Sequence, residues 1–362
     1  MRHLMKASAA ADVLLTACSD TGAPTATGDG FDAVGVGGNI ETVRQVLDDG
    51  AWQSLRTLGP RFGAAGSAAA LTGQLSAGLA GPGGSDPAGA GVRIAQAILS
   101  GGQSRIVAPQ IPLAVRGTTF VLDSVTLQYV PDSTLSGAPA NGVRFILYAA
   151  DSTTHQPLPG QEIGYADLTD EGNPTTPAIA LRLQAVIAGA TRLDYRVVVV
   201  GADSAATLQA AGFTDDGATR VEFHVGVKGV RAADTSAVEV AFAIGIPAHE
   251  FLATATLQHV TLTGDSAGAI AMTVRQGFNQ VGMVVHATPI EVMAVFQVNG
   301  IPFATVQGDP DHPTVRGVDG RELTVAEVEA LIGIQRLGGS VLEMFDCLMQ
   351  PVGGILGVGG AG

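Results

Sequence analysis

TRVEFHVGVK, residues Thr219–Lys228, separates its apolar and polar side chains by position. Its apolar residues are Val221, Phe223, Val225 and Val227, and its polar ones are Arg220, Glu222, His224 and Lys228. Successive side chains of a β-strand point to opposite faces of a sheet. A period of two residues therefore predicts a strand with one buried face and one solvent-facing face.

The same period returns through the middle of the chain, first in RLDYRVVVV (192–200) and AVEVAFAIGI (237–246). Further predicted strands are a short pair near 118–130 and the segments 143–150, 161–169, 178–188, 205–213, 251–262, 267–275, 281–288, 291–298 and 302–307. Asp216-Gly217 and Asn299-Gly300 are hairpin signals between neighbouring strands. Strands that follow one another with no intervening helix indicate an antiparallel meander.

Helical patterns flank these strands. Asn39 is a candidate N-cap for a helix that stops at Gly50, and shorter apolar stripes follow at 52–58 and 88–99. Near the C-terminus, Thr324 and Glu327 have the spacing of a capping box, and a second helical stripe lies at 341–348.

The predicted fold class is α+β. It consists of an antiparallel meander of about ten to thirteen strands, as a curved sheet or partly closed barrel, with N- and C-terminal helices packed on it. Aromatic residues make up only 5% of the chain and glycines number 49, which predicts a shallow or underfilled core. The net charge of −14, without a basic cluster, argues against nucleic-acid binding.

The N-terminus contains basic residues at Arg2 and Lys6, a short apolar stretch, and then Leu15-Thr16-Ala17-Cys18. This order resembles the signal peptide and lipobox of bacterial lipoproteins. The resemblance implies diacylglyceration of the Cys18 thiol and cleavage just before it. Ser19 after the cysteine favours the outer membrane, by the sorting rule of that family. The alternative is a cytosolic protein with an alanine-rich N-terminal helix.

These patterns divide the chain into six segments. They are a signal peptide (1–17), the lipidated cysteine and a flexible tether (18–30), a helical Ala/Gly-rich segment (31–103), the meander (104–320), C-terminal helices packing on the sheet (321–352) and a tail (353–362). The stretches NGVRFILYA, EIGYADLTDE and RLDYRVVV resemble uncharacterised lipoproteins of Gemmatimonadota-type bacteria. Their motifs mark strands, so this resemblance implies no activity.

One stretch, GDSAG at 264–268, fits the G-x-S-x-G pattern of a serine nucleophile. It resembles the hormone-sensitive-lipase branch of the α/β-hydrolases, which would make Ser266 the nucleophile. That family also requires an upstream HGGG motif, which is absent, and a separated acid and histidine. Only Asp309 and His312 lie downstream as a compact acid and histidine. The flanking strands favour a hairpin turn at GDSAG.

Other chemical motifs are incomplete. His249-Glu250 begins like a zinc-binding H-E-x-x-H motif, but Ala253 occupies the second ligand position. The terminal GVGGAG lacks the helix that a dinucleotide site needs. Asp309, Asp311 and Asp319 lack EF-hand spacing and are interpreted as turn residues, and Cys347 as a packed side chain. We therefore expect no cofactor, no metal site and no catalytic residue, with Ser266 as the alternative candidate for a nucleophile.

The sequence thus predicts a lipid-anchored, non-enzymatic cell-envelope protein. By analogy with the outer-membrane lipoprotein carrier fold, a hydrophobic or lipid-like ligand could occupy the concave apolar face of the sheet. The alternatives are a serine esterase using Ser266 and a structural or adhesive envelope protein.

Overall fold

The computed structural model describes a large part of the chain. The described residues are 32–56, 58, 111–151, 153–154, 156–173, 178–202, 205–231, 235–262, 265–287, 292–309, 312–318, 320–334, 337, 344 and 348. The predicted signal peptide, Cys18, the tether, the helix at 88–99, Cys347 and the tail lie outside these residues, as does most of the stripe at 341–348.

Fifteen strands of the described chain form one sheet. They are β1 Thr118–Leu122, β2 Tyr129–Asp132, β3 Gly142–Ala150, β4 Pro157–Asp170, β5 Ala178–Ile187, β6 Ala190–Ala202, β7 Ala205–Asp215, β8 Arg220–Arg231, β9 Thr235–Ile246, β10 Phe251–Leu262, β11 Asp265–Gln276, β12 Asn279–Ala287, β13 Val292–Val298, β14 Ile301–Asp309 and β15 His312–Gly317. From β3 to β15 each strand pairs antiparallel with the next one, as in the predicted meander.

Two features of the sheet differ from the prediction. The strand count exceeds thirteen, and β15 lies in the stretch whose aspartates, Asp309, Asp311 and Asp319, were interpreted as turn residues. In addition, β1 pairs in parallel with β3. After β2 the chain returns to the other side of β1, so β2 and β3 flank β1 in the sheet. Local alternation predicts that a segment is a strand, but it does not determine which other strand it pairs with.

Among the described strands the sheet is open, so the partly closed barrel is not formed there. Strands β2 and β15 are its two edges, and each pairs on one side only. Pro131 lies in β2 and Pro313 in β15. Proline has no backbone N–H to donate, which makes it typical of edge strands and discourages further pairing there.

The hairpin signals are confirmed. Asn299 and Gly300 have φ values of 50° and 80° and form the two-residue connection between β13 and β14. A type I′ turn requires positive φ at both positions, and asparagine followed by glycine tolerates this best. At the β7–β8 connection, the Asp216 carboxylate accepts hydrogen bonds of 2.7 Å from the Ala218 and Thr219 amides.

One face of the sheet, here called the inner face, carries the core. The alternating residues of Thr219–Lys228 lie as predicted, with Val221, Phe223, Val225 and Val227 buried and their polar neighbours on the opposite, outer face. Helix α1, Ala33–Leu47, contacts β7, β8, β9 and β11. Helix α2, Gly50–Arg56, contacts β3. Two short 3₁₀ helices, η1 (Leu113–Val115) and η2 (Pro247–His249), precede β1 and β10.

The first helix begins earlier than the sequence indicated. Asp32 is its N-cap, and its carboxylate accepts a 2.8 Å hydrogen bond from the Gly35 amide. Asn39, the expected N-cap, lies inside α1 and is buried. Three glycines in the first turns obscured the helical pattern, because glycine has low helix propensity.

The C-terminal capping box is confirmed. Helix α3, residues 325–334, begins after Thr324, whose amide donates to the Glu327 carboxylate at 2.8 Å. The Glu327 amide donates to the Thr324 hydroxyl at 3.3 Å. Beyond α3, the Tyr195 hydroxyl donates a 2.6 Å hydrogen bond to the Leu348 carbonyl. Leu331, Ile334 and Leu348 join the core, so this part of the chain packs on the inner face.

Candidate functional site

The backbone at Ser266 is extended. Ser266 is the second residue of β11 and pairs with Thr261 of β10, so two antiparallel strands meet here. A nucleophile elbow instead joins a strand to a helix through a sharp turn. The hairpin connection is shorter than expected, because four of the five GDSAG residues belong to β11.

The other residues that the sequence singled out do not converge on Ser266. The backbones of Asp309 and His312 pair at the end of the β14–β15 hairpin, and β14 is three strands away from β11, which contains Ser266. His249 lies in η2, where its Nδ1 is 2.8 Å from the Asn39 Oδ1. This hydrogen bond ties the β9–β10 connection to α1. His224 is exposed on the outer face, as predicted.

Asp311 and Asp319 lie outside the described residues. Among the described side chains, no group of three or more His, Cys, Asp and Glu could hold a metal ion. Within the same ranges, no helix combines the length and apolar character needed to cross a membrane.

A hollow of about 690 Å³ lies on the sheet where β7 to β11 run side by side. We call it the outer-face hollow. Its lining includes Ala211, Glu222, His224, Ala243, Gly245, Pro247, Glu250, Leu252, Arg275 and Gly277. Sequence reasoning did not find it, because its residues come from five strands and two connections.

The register explains why the sheet is indented there. Glu222 of β8 pairs with Gly245 of β9, and Gly245 pairs on its other side with Leu252 of β10. The next row toward the middle of the strands places Ala243 beside His224. Small side chains on β9 thus lie between longer ones on β8 and β10. The sequence feature that could have indicated this hollow is the row of small outward-facing residues Ala241, Ala243 and Gly245 in AVEVAFAIGI.

Gly245 lies on the floor of the outer-face hollow, where the backbone of Phe251 comes close to it. A Cβ atom at Gly245 would lie 2.7 Å from the Phe251 carbonyl oxygen, closer than side-chain atoms normally come. The η2 turn, which returns the chain into β10, produces this approach. Any larger residue at 245 would force the β9–β10 connection to shift, so the floor stays low.

The end of the hollow is shaped by Glu250. This residue has a φ of 51°, and its amide donates to the Pro247 carbonyl at 3.1 Å. Its own carbonyl accepts from the Gly277 amide at 3.2 Å. Two backbone hydrogen bonds therefore hold Glu250 beside the β11–β12 turn, with its carboxylate at the hollow.

Most of the arginine side chains that the structure describes are paired with carboxylates. Eight arginines of the described chain have a carboxylate within 4 Å: Arg44, Arg116, Arg144, Arg182, Arg192, Arg196, Arg220 and Arg321. Three of these pairs, Arg144 with Asp167, Arg182 with Asp194 and Arg321 with Glu327, are bidentate. Arg275, in the hollow, forms no ion pair with any described carboxylate.

The chain has no match among known families. No family model, no curated protein and no solved structure matches it. A functional proposal must therefore rest on the residues of this chain.

A second hollow, of about 470 Å³, separates α1 from α3. Gly37, Gly38 and Ile40 line it on one side, and Ala326, Ala330 and Gly333 line it on the other. Its charged residues include Glu41 and Arg44, which pair with each other at 2.8 Å. We interpret this second hollow as imperfect packing between two helices with small residues.

The apolar face that was expected to hold a hydrophobic ligand is occupied, where described, by the protein's own side chains. Leu183, Tyr195, Val197, Phe223 and Ile244 are each at most 4% exposed and belong to one continuous cluster. Neither of the two hollows described above was anticipated as the ligand site.

Proposed function

We propose that this chain is a lipid-anchored, non-enzymatic cell-envelope protein that presents the outer face of its sheet for binding. The observation that carries the proposal is Leu15-Thr16-Ala17-Cys18 behind the basic residues Arg2 and Lys6. In this proposal the Cys18 thiol carries the lipid, and residues 19–31 connect it to Asp32, which caps α1. Ser19 supports sorting to the outer membrane.

The charge of the chain supports attachment through a covalent lipid. The net charge is −14, and eight arginines of the described chain are already paired with carboxylates. An acidic body is repelled by anionic lipid headgroups, which attract clusters of lysine and arginine. In this proposal a lipid at Cys18 therefore supplies the affinity for the membrane.

The backbone at Ser266 supports a non-enzymatic role. An esterase would need a nucleophile at a strand-to-helix turn, with an acid and a histidine within hydrogen-bonding reach of one another. Ser266 lies in a strand pair, and Asp309 and His312 belong to a different hairpin. A fluorophosphonate probe that labels wild type but not Ser266→Ala would revive the esterase hypothesis.

A lipid-like ligand on the apolar face of the sheet is a separate hypothesis, because the protein's own side chains fill that face where it is described. Lipid extraction and native mass spectrometry of the purified protein test it. One lipid per chain would support a carrier role, whereas a lipid-free protein would leave the outer face as the binding surface.

Replacement of each cysteine tests the anchor, because Cys18 and Cys347 are the chain's two cysteines. The full chain is expressed in a bacterial host with an alkyne fatty acid, and incorporation is measured after coupling to a fluorophore. We expect wild type and Cys347→Ser to be labelled and to stay in the membrane fraction. Cys18→Ser should lose both the label and the attachment.

Two outcomes would contradict the anchor. One is labelling of Cys18→Ser equal to that of wild type. The other is an unlabelled wild type in a host where a control lipoprotein is labelled.

A further inference from the structure

The outer-face hollow contains a carboxylate and a guanidinium that form no ion pair with each other. Arg275 and Glu250 both line it, and neither has an ion-pair partner among the described residues. Eight arginines elsewhere in the described chain are paired with carboxylates. An unpaired guanidinium in a concave site is available to a ligand.

The sheet register gives the relative position of these two groups. Arg275 of β11 pairs with Leu252 of β10, and Glu250 lies just before β10, beside Gly277 of the β11–β12 turn. Gly277 follows Arg275 by two residues and paired strands lie about 4.8 Å apart, so Glu250 and Arg275 lie at the same end of the β10–β11 hairpin. The Glu250–Gly277 hydrogen bond of 3.2 Å holds this arrangement. A ligand between the two side chains would need opposite charges a few ångströms apart.

The charge balance favours a zwitterion over a simple ion. Glu222, at the opposite wall, is 3.4 Å from Arg220, so its charge is partly offset. An anion bound to Arg275 would lie beside the Glu250 carboxylate, and a cation bound to Glu250 would lie beside the Arg275 guanidinium. Like charges at such distances repel, whereas a molecule carrying both signs satisfies both groups.

The floor of the hollow between its charged residues is apolar and low. Ala243 and Gly245 form its floor, and Leu252 and Pro247 contribute apolar walls. Its volume of about 690 Å³ falls within the range of small-molecule sites. The space beside the charged pair therefore suits an apolar group of several carbon atoms.

We propose that the outer-face hollow binds an α-amino acid with a bulky apolar side chain. The ligand carboxylate accepts hydrogen bonds from the Arg275 guanidinium, and the ligand ammonium donates to the Glu250 carboxylate. The side chain lies on Ala243 and Gly245 against Leu252. This site is independent of Cys18 and of how the protein is attached to a membrane.

Three ligands with the same phenyl group test the charge requirement. L-phenylalanine carries both charges, phenethylamine lacks the carboxylate and 3-phenylpropionate lacks the ammonium. Isothermal titration of the purified protein should show L-phenylalanine binding at least about tenfold more tightly than either analogue, as expected when a charge-assisted hydrogen bond is lost. Equal affinities, or no binding of L-phenylalanine at millimolar concentration, would overturn the proposal.

Charge variants assign the two contacts. Arg275→Gln should remove the advantage of L-phenylalanine over phenethylamine, and Glu250→Gln should remove its advantage over 3-phenylpropionate. Arg316→Gln is the matched control, because Arg316 is also exposed and has no ion pair among the described residues but lies on β15. A loss of binding in the Arg316 variant equal to that in the Arg275 variant would contradict the assignment.

A floor variant tests the position of the side chain. Ala243→Leu should fill the hollow and weaken L-phenylalanine binding by about tenfold or more. Ala241→Leu is its control, because Ala241 lies two residues earlier on the same face of β9 and does not line the hollow. Thermal unfolding of each variant shows whether it is folded. Unchanged binding in folded Ala243→Leu would place the ligand elsewhere and overturn the proposal.

Discussion

Glu327 is a buried carboxylate whose polar partners are all close in sequence. The Arg321 guanidinium donates two hydrogen bonds of 3.0 Å to it, and the Thr324 amide donates a third of 2.8 Å. Burial raises the pKa of Glu327, but the bonds from Arg321 and Thr324 outweigh burial and hold this pKa below its ordinary value of 4.5. The ionised form therefore stabilises the start of α3.

The sign of this pKa shift predicts how stability depends on pH. The stabilisation is complete above the unfolded-state pKa and is lost as the pH falls through the lower folded-state pKa. Glu327→Gln should therefore lower the free energy of unfolding by about 1–3 kcal/mol at pH 7, and by less at pH 3. Urea unfolding at both pH values measures the difference.

Glu329→Gln, an exposed carboxylate of the same helix, is the control and should change stability little at either pH. A Glu327→Gln effect of the same size at pH 3 and pH 7 would show that the carboxylate charge is not responsible.

At the scale of elements, α1 carries glycines with different environments. A Cβ atom at Gly38 would meet no atom within 4 Å, because this position opens on the hollow between α1 and α3. A Cβ atom at Gly35 would overlap the Asp32 carboxylate that caps the helix. Gly38 is therefore dispensable for packing, whereas the cap requires a glycine at position 35.

This contrast predicts opposite effects of one substitution. Gly38→Ala should raise the free energy of unfolding by about 0.5–1 kcal/mol, because alanine loses less backbone entropy in a helix. Gly35→Ala should lower it by about 1 kcal/mol through loss of the N-cap. Urea unfolding of both variants tests the pair. Changes of the same sign would contradict the placement of Asp32 as the cap.

At the scale of the whole molecule, the described sheet has a protected middle and two edges. Strands β7, β8 and β9 pair on both sides and lie under α1, whereas β2 and β15 pair on one side only. Amide protons exchange with solvent when their hydrogen bonds open, and opening costs least where few contacts hold a strand.

Hydrogen exchange measured by mass spectrometry should follow this order. Peptides covering β2 and β15 should exchange at least about tenfold faster than those covering β8 and β9. Slow exchange throughout β15 would show that another segment or another chain covers this edge, and would contradict the open sheet.

The strands and their faces could be predicted because they depend on local alternation. The inner-face residues of β8 and the Asn299-Gly300 turn lie as the sequence indicated. The outer-face hollow could not be predicted, because Glu250 and Arg275 meet only through the register of the β10–β11 hairpin. A shift of one residue in that register would place Arg275 on the inner face.

The chain's sequence alone determined most of the strands other than β15, the apolar side of strands such as β8, and where α3 is capped, since these depend on residues a few positions apart. The lipobox expected at Leu15-Thr16-Ala17-Cys18 also rests on consecutive residues, and it stays a prediction. Tertiary structure alone decided that β1 pairs in parallel with β3, that the described sheet stays open and that β9 forms a low floor. These features depend on pairing between distant segments, which local patterns leave undetermined.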